Sequence, residues 1–369
     1  MTKRKKHTIG LTVLLAAMMA SVSQAADLWG LKEGNPGIKS ARSLVFGPDN
    51  ILIIGDTKAA AVVAIDTGDK KGNASSVHFG IEGLQRTLAS KLGTGELRVN
   101  DLAINPGNGA AYLSITLGKG DDSEPSIVRV TGDGNVSVVS LSKVKFAKVT
   151  LPNVPEDRVQ KGRRGSYNRR DDAITDLAYI DGKIIVSGLA DGQSGSKVRE
   201  LAFPFSESDQ GTTIEIYHGA HGKVENGSAI RTFVPFNING EPTLLAGYVC
   251  TPLVKFPLKS LNGKKTTGTT VAELGNRNRP LDMIVYTKNK QDFILMANDR
   301  RGVMKISTED IATNKGITSR VAGGGTAGQT YETIEAWKGV VQLDRQSDTT
   351  ATVIIATEEN LSLKTIPLP

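Results

Sequence analysis

The chain has 369 residues, of which 39% are hydrophobic, 22% charged and 5% aromatic, with one cysteine and a formal charge of +7. The single Cys250 excludes an intrachain disulfide framework, and so few aromatics leave little for base or sugar stacking. The basicity is not a nucleic-acid signature. Lys3, Arg4, Lys5 and Lys6 precede the first acid, Asp27, so the charge falls from +7 to +3 without them, and no clustered basic stripe of the nucleic-acid-binding kind replaces them.

The chain opens on that positive stretch, followed by a short apolar run over residues 9–22 and the small residues Ser23-Gln24-Ala25. This order predicts a signal peptide, residues 1–25, cleaved after Ala25 to release a periplasmic chain spanning 26–369. No later stretch approaches about 18 continuous apolar residues, so the mature chain is predicted to lack a membrane span.

From residue 42 the same plan recurs six times: short apolar strands of period two, separated by turns rich in Asp, Asn and Gly. The units cover about 42–80, 100–141, 175–217, 231–274, 281–322 and 339–366. Four short strands cannot bury both faces of their sheet alone, whereas six such sheets packed around an axis can. The predicted fold is therefore all-β, a six-bladed β-propeller in one domain with four antiparallel strands per blade. The sixth unit has only three strands, which predicts that the mature N-terminal segment 26–31 supplies the fourth and closes the ring. Residues 81–92 carry Leu84, Leu88 and Leu92 on one face of a predicted helix. Residues 143–173 read as an insertion. Its Arg158, Lys161, Arg163, Arg164, Arg169 and Arg170 predict either a solvated basic loop or a lid for an anionic ligand.

In such a fold the first strands begin at one mouth of the channel. Asp101, Asp176 and Asp282 occupy equivalent strand starts there. Clustered carboxylates raise one another's pKa unless a cation intervenes, and that cation is either Ca²⁺ or the pair Arg42 and Arg231. The alternative is that each carboxylate caps nearby backbone N–H groups. Arg42 and Arg231 start two other blades. Asn276, Arg277 and Arg279 enter the fifth blade, and Asn298, Arg300 and Arg301 form its turn. Guanidinium forks and amides together suit carboxylate or phosphate, so these residues, with Cys250 in the matching turn of the fourth blade, are candidate ligand-binding residues. His218-Gly219-Ala220-His221 pairs two imidazoles three apart, but no third metal ligand stands at a fixed spacing. The acidic turn over 118–125 lacks calcium-loop spacing.

The six-unit plan, with its opening SLVFGPDNILIIGD, resembles the exported six-bladed propellers of the broad NHL, SMP-30/gluconolactonase and quinoprotein-dehydrogenase-like groups. Gluconolactonase-like proteins hold a metal with Glu, Asn and Asp at strand starts. The resemblance implies Asn100, Asp176 and Asp282 for the last two roles, while Arg42-Ser43 stands where an acid is expected. A quinoprotein likeness implies a catalytic His at the mouth, with His218 and His221 as candidates. Three functions stay open: binding of a small anionic or metal-bridged ligand, or of a periplasmic partner protein, at the mouth; a metal-dependent hydrolase of the lactonase type; and a subunit of a periplasmic redox system.

Overall fold

The computed structural model describes residues 29–369 except 71, 163–164, 193–194, 208, 251 and 359, and leaves the Asp121 side chain undescribed. The expected signal peptide, residues 26–28, Arg163 and Arg164 lie outside the described residues. The protein is a six-bladed β-propeller. Among the described residues no helix is long and apolar enough to cross a membrane.

The blade cores follow the periodicity. The middle strands Ile51–Asp56 and Ala61–Asp66 are buried almost throughout, because a strand covered on both faces is apolar on both. The inner hairpins of blades 3, 4 and 5 turn through Asp181-Gly182, Asn239-Gly240 and Asn289-Lys290, each pair at positive φ. That geometry matches the right-handed strand twist, and it sets the register of the two strands it joins. Asp176 thereby faces Ser187, and Asp282 faces Ala297, at the mouth end of each blade.

Ring closure differs from the sequence expectation. The described N-terminal strand Lys32–Gly34 pairs with Val144–Thr150, which is itself the fourth strand of blade 1 and pairs with Ala61–Asp66. The fourth strand of blade 6 is Gly80–Ile81, set against Leu363 and Lys364. Three expectations are thus corrected. Blade 1 does not end at residues 76–80. Blade 6 is not closed by the N-terminus. The segment 143–173 begins with a blade strand rather than being wholly an insertion. Blade 5 also takes Tyr331–Thr333, not 317–322, as its fourth strand. In each case the third strand of the blade needs a partner for its open edge, and the chain supplies it from a segment other than the expected one.

The exchange changes the order of the blades. Six inter-blade cores join blades 1 and 2, 1 and 3, 3 and 4, 4 and 5, 5 and 6, and 6 and 2. Around the axis the order is therefore 2, 1, 3, 4, 5, 6. The chain lays down three strands of blade 1 and crosses to the edge of blade 6. It then forms the helix Leu84–Leu92 and builds blade 2 between blades 1 and 6. Last, it returns to finish blade 1. Leu84 and Leu88 of the helix are fully buried with Ile354 and Leu363 of blade 6, and Leu92 packs beside them.

Candidate functional site

The mouth is built on the inner-strand starts. In ring order these carry Asp101, Ser43, Asp176, Thr232, Asp282 and Gln342, so carboxylates alternate with neutral side chains. Each carboxylate does the same job. Its Oδ1 accepts the N–H of the following residue, Leu102, Leu177 or Met283, at 2.7–2.8 Å. Its Oδ2 accepts an N–H of the next blade: Asp101 from Leu44 at 2.7 Å, Asp176 from Phe233 and Asp282 from Leu343 at 2.8 Å. Asp344 makes the equivalent joint from blade 6 to blade 2, accepting from Ile104 at 2.7 Å. These bonds rivet neighbouring blades at the axis. The three proposed calcium ligands thus use all six oxygens on backbone N–H groups.

Burial in the channel wall raises Asp101 and Asp282 well above the ordinary carboxylate value, and the neighbouring carboxylates add to it, Asp176 for Asp101 and Asp101 for Asp282. Burial lifts Asp176 and Asp344 to about 6, against backbone bonds that pull down.

Above this ring opens a cavity of about 640 Å³. Four arginines line it: Arg42, Arg98, Arg231 and Arg279. The insertion brings two carboxylates to its rim. Residues Val159–Gly162 and Gly165–Asn168 form a hairpin, followed by the 3-10 turn Arg169–Asp172, which Asn168 caps by accepting from Arg170 N. Arg170 ties this turn down by donating to the carbonyls of Pro155 and Lys58. Asp172 then takes a bidentate bond from Arg231 at 2.7 and 3.2 Å, and Asp171 lies 3.5 Å from Arg42. Arg98 bonds Asn100 at 3.0 Å. Neither Arg98 nor Arg279 has a carboxylate within ion-pair distance among the described residues. Burial, then the nearby Arg42, lowers the pKa of Arg98; burial, then Arg231, lowers that of Arg279. Both shifts come first from burial and only secondly from a neighbouring guanidinium, and Asp171 for Arg98 and Asp172 for Arg279 oppose them. A second cavity of about 1100 Å³ adjoins it under the same hairpin, with Lys39, Lys58, Lys119 and Arg158 in its walls.

Of the sequence candidates, Arg42, Arg231, Arg279 and the three aspartates meet at the mouth. Asn276, Arg277, Asn298, Arg300, Arg301 and Cys250 line neither cavity. Much of that run is bonded within itself. Asn298 sits buried between Asn278 and the Met296 carbonyl, and Arg301 donates to the Asn276 carbonyl. Cys250 adopts φ +65° and donates its N–H to the Asn278 carbonyl; the adjoining Thr251 lies outside the described residues. Sequence reasoning missed Arg98, Asp171 and Asp172. The last two belonged to a segment read only for its positive charge, and Arg98 precedes the strand start by one alternation.

No protein-family model and no curated protein matches the chain. Solved structures do show likeness. One is a suggested oxidoreductase (glucose dehydrogenase) from Thermus thermophilus, 13% identical with a TM-score of 0.37, covering 91% of this chain and 100% of that one. A second is the PQQ-bound aldose sugar dehydrogenase of Streptomyces coelicolor, 11% identical with a TM-score of 0.34 over 91% and 98% of the chains. A third is a streptogramin B lyase, 10% identical with a TM-score of 0.32 over 92% and 99%. At these scores the likenesses carry no argument about chemistry.

Proposed function

We propose that the protein is a periplasmic propeller that binds a small anion, bearing two or more carboxylate or phosphate groups, in the arginine-lined mouth. The supporting observation is a cluster of guanidinium groups of which two are not ion-paired among the described residues. Four arginines share one cavity, and two of them, Arg98 and Arg279, lack a carboxylate partner among the described residues. A cavity of about 640 Å³ is of metabolite size. The planar forks of arginine match carboxylate and phosphate oxygens in pairs. The calcium-dependent hydrolase alternative has less support, because the oxygens of Asp101, Asp176 and Asp282 are already engaged by backbone N–H groups.

Calorimetry with citrate and with pyrophosphate tests the proposal. Binding to at least one is expected, weakening with salt. Arg98→Ala and Arg279→Ala are each expected to weaken it about 10-fold or more, the worth of one charged hydrogen bond. Absence of binding to both anions, or unchanged affinity in both variants, would refute it.

A further inference from the structure

A second constellation lies away from the mouth, on the hairpin that leaves blade 3. The strand Thr212–His218 pairs with Lys223–Glu225, with His218 opposite Lys223 and Ile216 opposite Glu225. Because side chains alternate along a strand and match across it, Glu225 falls on the same face as His218. The intervening turn folds His221 back, with the N–H groups of His221 and Gly222 donating to the His218 carbonyl. The two imidazole rings come to 3.9 Å between centroids. Each Nδ1 lies 2.9 Å from one oxygen of the Glu225 carboxylate.

We propose that His218, His221 and Glu225 form a binding site for one first-row divalent cation, Zn²⁺ foremost. Among the described residues they are the group whose metal-ligating atoms all lie within 4.8 Å of one another. Zinc bonds of about 2.0–2.1 Å in a tetrahedral shell place neighbouring ligand atoms about 3.3 Å apart, close to the present nitrogen–oxygen contacts. Two imidazoles and one carboxylate suit zinc and its neighbours better than calcium or magnesium, which prefer all-oxygen shells.

Three further observations support the site. His218 is 2% exposed, yet its Nε2 has no partner among the described residues. The ring is thus held by packing and, through Nδ1, by the carboxylate that would share the metal. Secondly, the turn is held rigidly: the carboxylate of Glu273 on blade 4, 1% exposed, accepts the N–H of Gly219. Lastly, the site is open on one side. The His221 side chain is 48% exposed, leaving a path for the ion and room for water as a fourth ligand. The opposing charge is Lys223, 3.4 Å from Glu225, and its side chain is 67% exposed, so it can turn into solvent.

The test uses the full exported chain, stripped with a chelator, dialysed and titrated with Zn²⁺ against a chromophoric competitor. Co²⁺ serves as a second probe through its tetrahedral d–d absorption. One Zn²⁺ per chain is expected. Loss of an outer-shell partner typically costs 10–100-fold in metal affinity, so His221→Ala and Glu225→Gln, which remove ligands, are expected to weaken binding by about 100-fold or more. His78→Ala, at a histidine elsewhere, should bind as the parent does. His221 and Glu225 are the more accessible ligands, and unchanged circular dichroism melts of their variants confirm that the fold persists. Zinc well below one per chain, or parental affinity retained in both variants, overturns the proposal. Retained affinity would also direct attention to Asp101, Asp176 and Asp282.

Discussion

Asp176→Asn isolates what the alternating carboxylates do at the axis. The native carboxylate accepts two backbone N–H groups, from Leu177 and Phe233. An asparagine can accept only one and turns its own NH₂ toward the other, leaving a buried donor unsatisfied at about 1–3 kcal/mol. The substitution also removes a charge that burial disfavours, since burial lifts Asp176 from 3.8 to about 6. The two effects differ in pH dependence. A raised folded-state pKa gives stability that is fully present below the unfolded pKa and is lost as pH rises through the folded one. Between pH 5 and pH 8 the parent therefore loses roughly 1 kcal/mol at this group, with some allowance for solvent in the channel, and the variant does not. Urea unfolding at the two pH values should show Asp176→Asn costing about 1 kcal/mol less at pH 8 than at pH 5. A cost that is constant, or that grows with pH, would refute the picture of a desolvated carboxylate serving as a rivet.

Two further outcomes follow from the packing. The Tyr248 hydroxyl is buried with no partner among the described residues, so Tyr248→Phe should leave stability unchanged or raise it by about 1 kcal/mol; a clear drop in Tm would mean the hydroxyl is bonded. Leu88→Ala opens a cavity where the helix meets blades 2 and 6 and should cost about 2–5 kcal/mol, with Leu92→Ala, only partly buried, costing less; the reverse order in denaturant melts would contradict this closure of the ring.

Local chemistry was legible in the chain. Alternation, turn residues and strand length specify a four-stranded antiparallel unit wherever they recur, because each is a property of a few consecutive residues. The same holds for the helix at Leu84–Leu92 and for the equivalent placement of Asp101, Asp176 and Asp282. Which strand completes which blade is a different kind of fact. Val144–Thr150 and Gly80–Ile81 are both ordinary strand sequence; nothing within them says that the first returns to blade 1 and the second crosses to blade 6. The tertiary structure decides it through the demand of each buried edge for a hydrogen-bonding partner.

The candidate sites divide along the same line. Arg42, Arg231 and Arg279 could be found because strand register alone sends them to the mouth. Arg98, Asp171 and Asp172 could not, since their convergence depends on blade 2 lying beside blade 1 and on a hairpin folding over both. Alternation of acid and neutral residues around the axis exists only in the order 2, 1, 3, 4, 5, 6. Glu225 meets His218 and His221 only because a β-hairpin puts it on the same face as His218 and the turn folds His221 back. Sequence by itself determined the repeating unit and the residue types at its mouth, since those rest on nearest-neighbour geometry. Only the tertiary structure decided which of those residues are neighbours, since that rests on contacts between segments as far as 286 residues apart, as between Phe79 and Thr365.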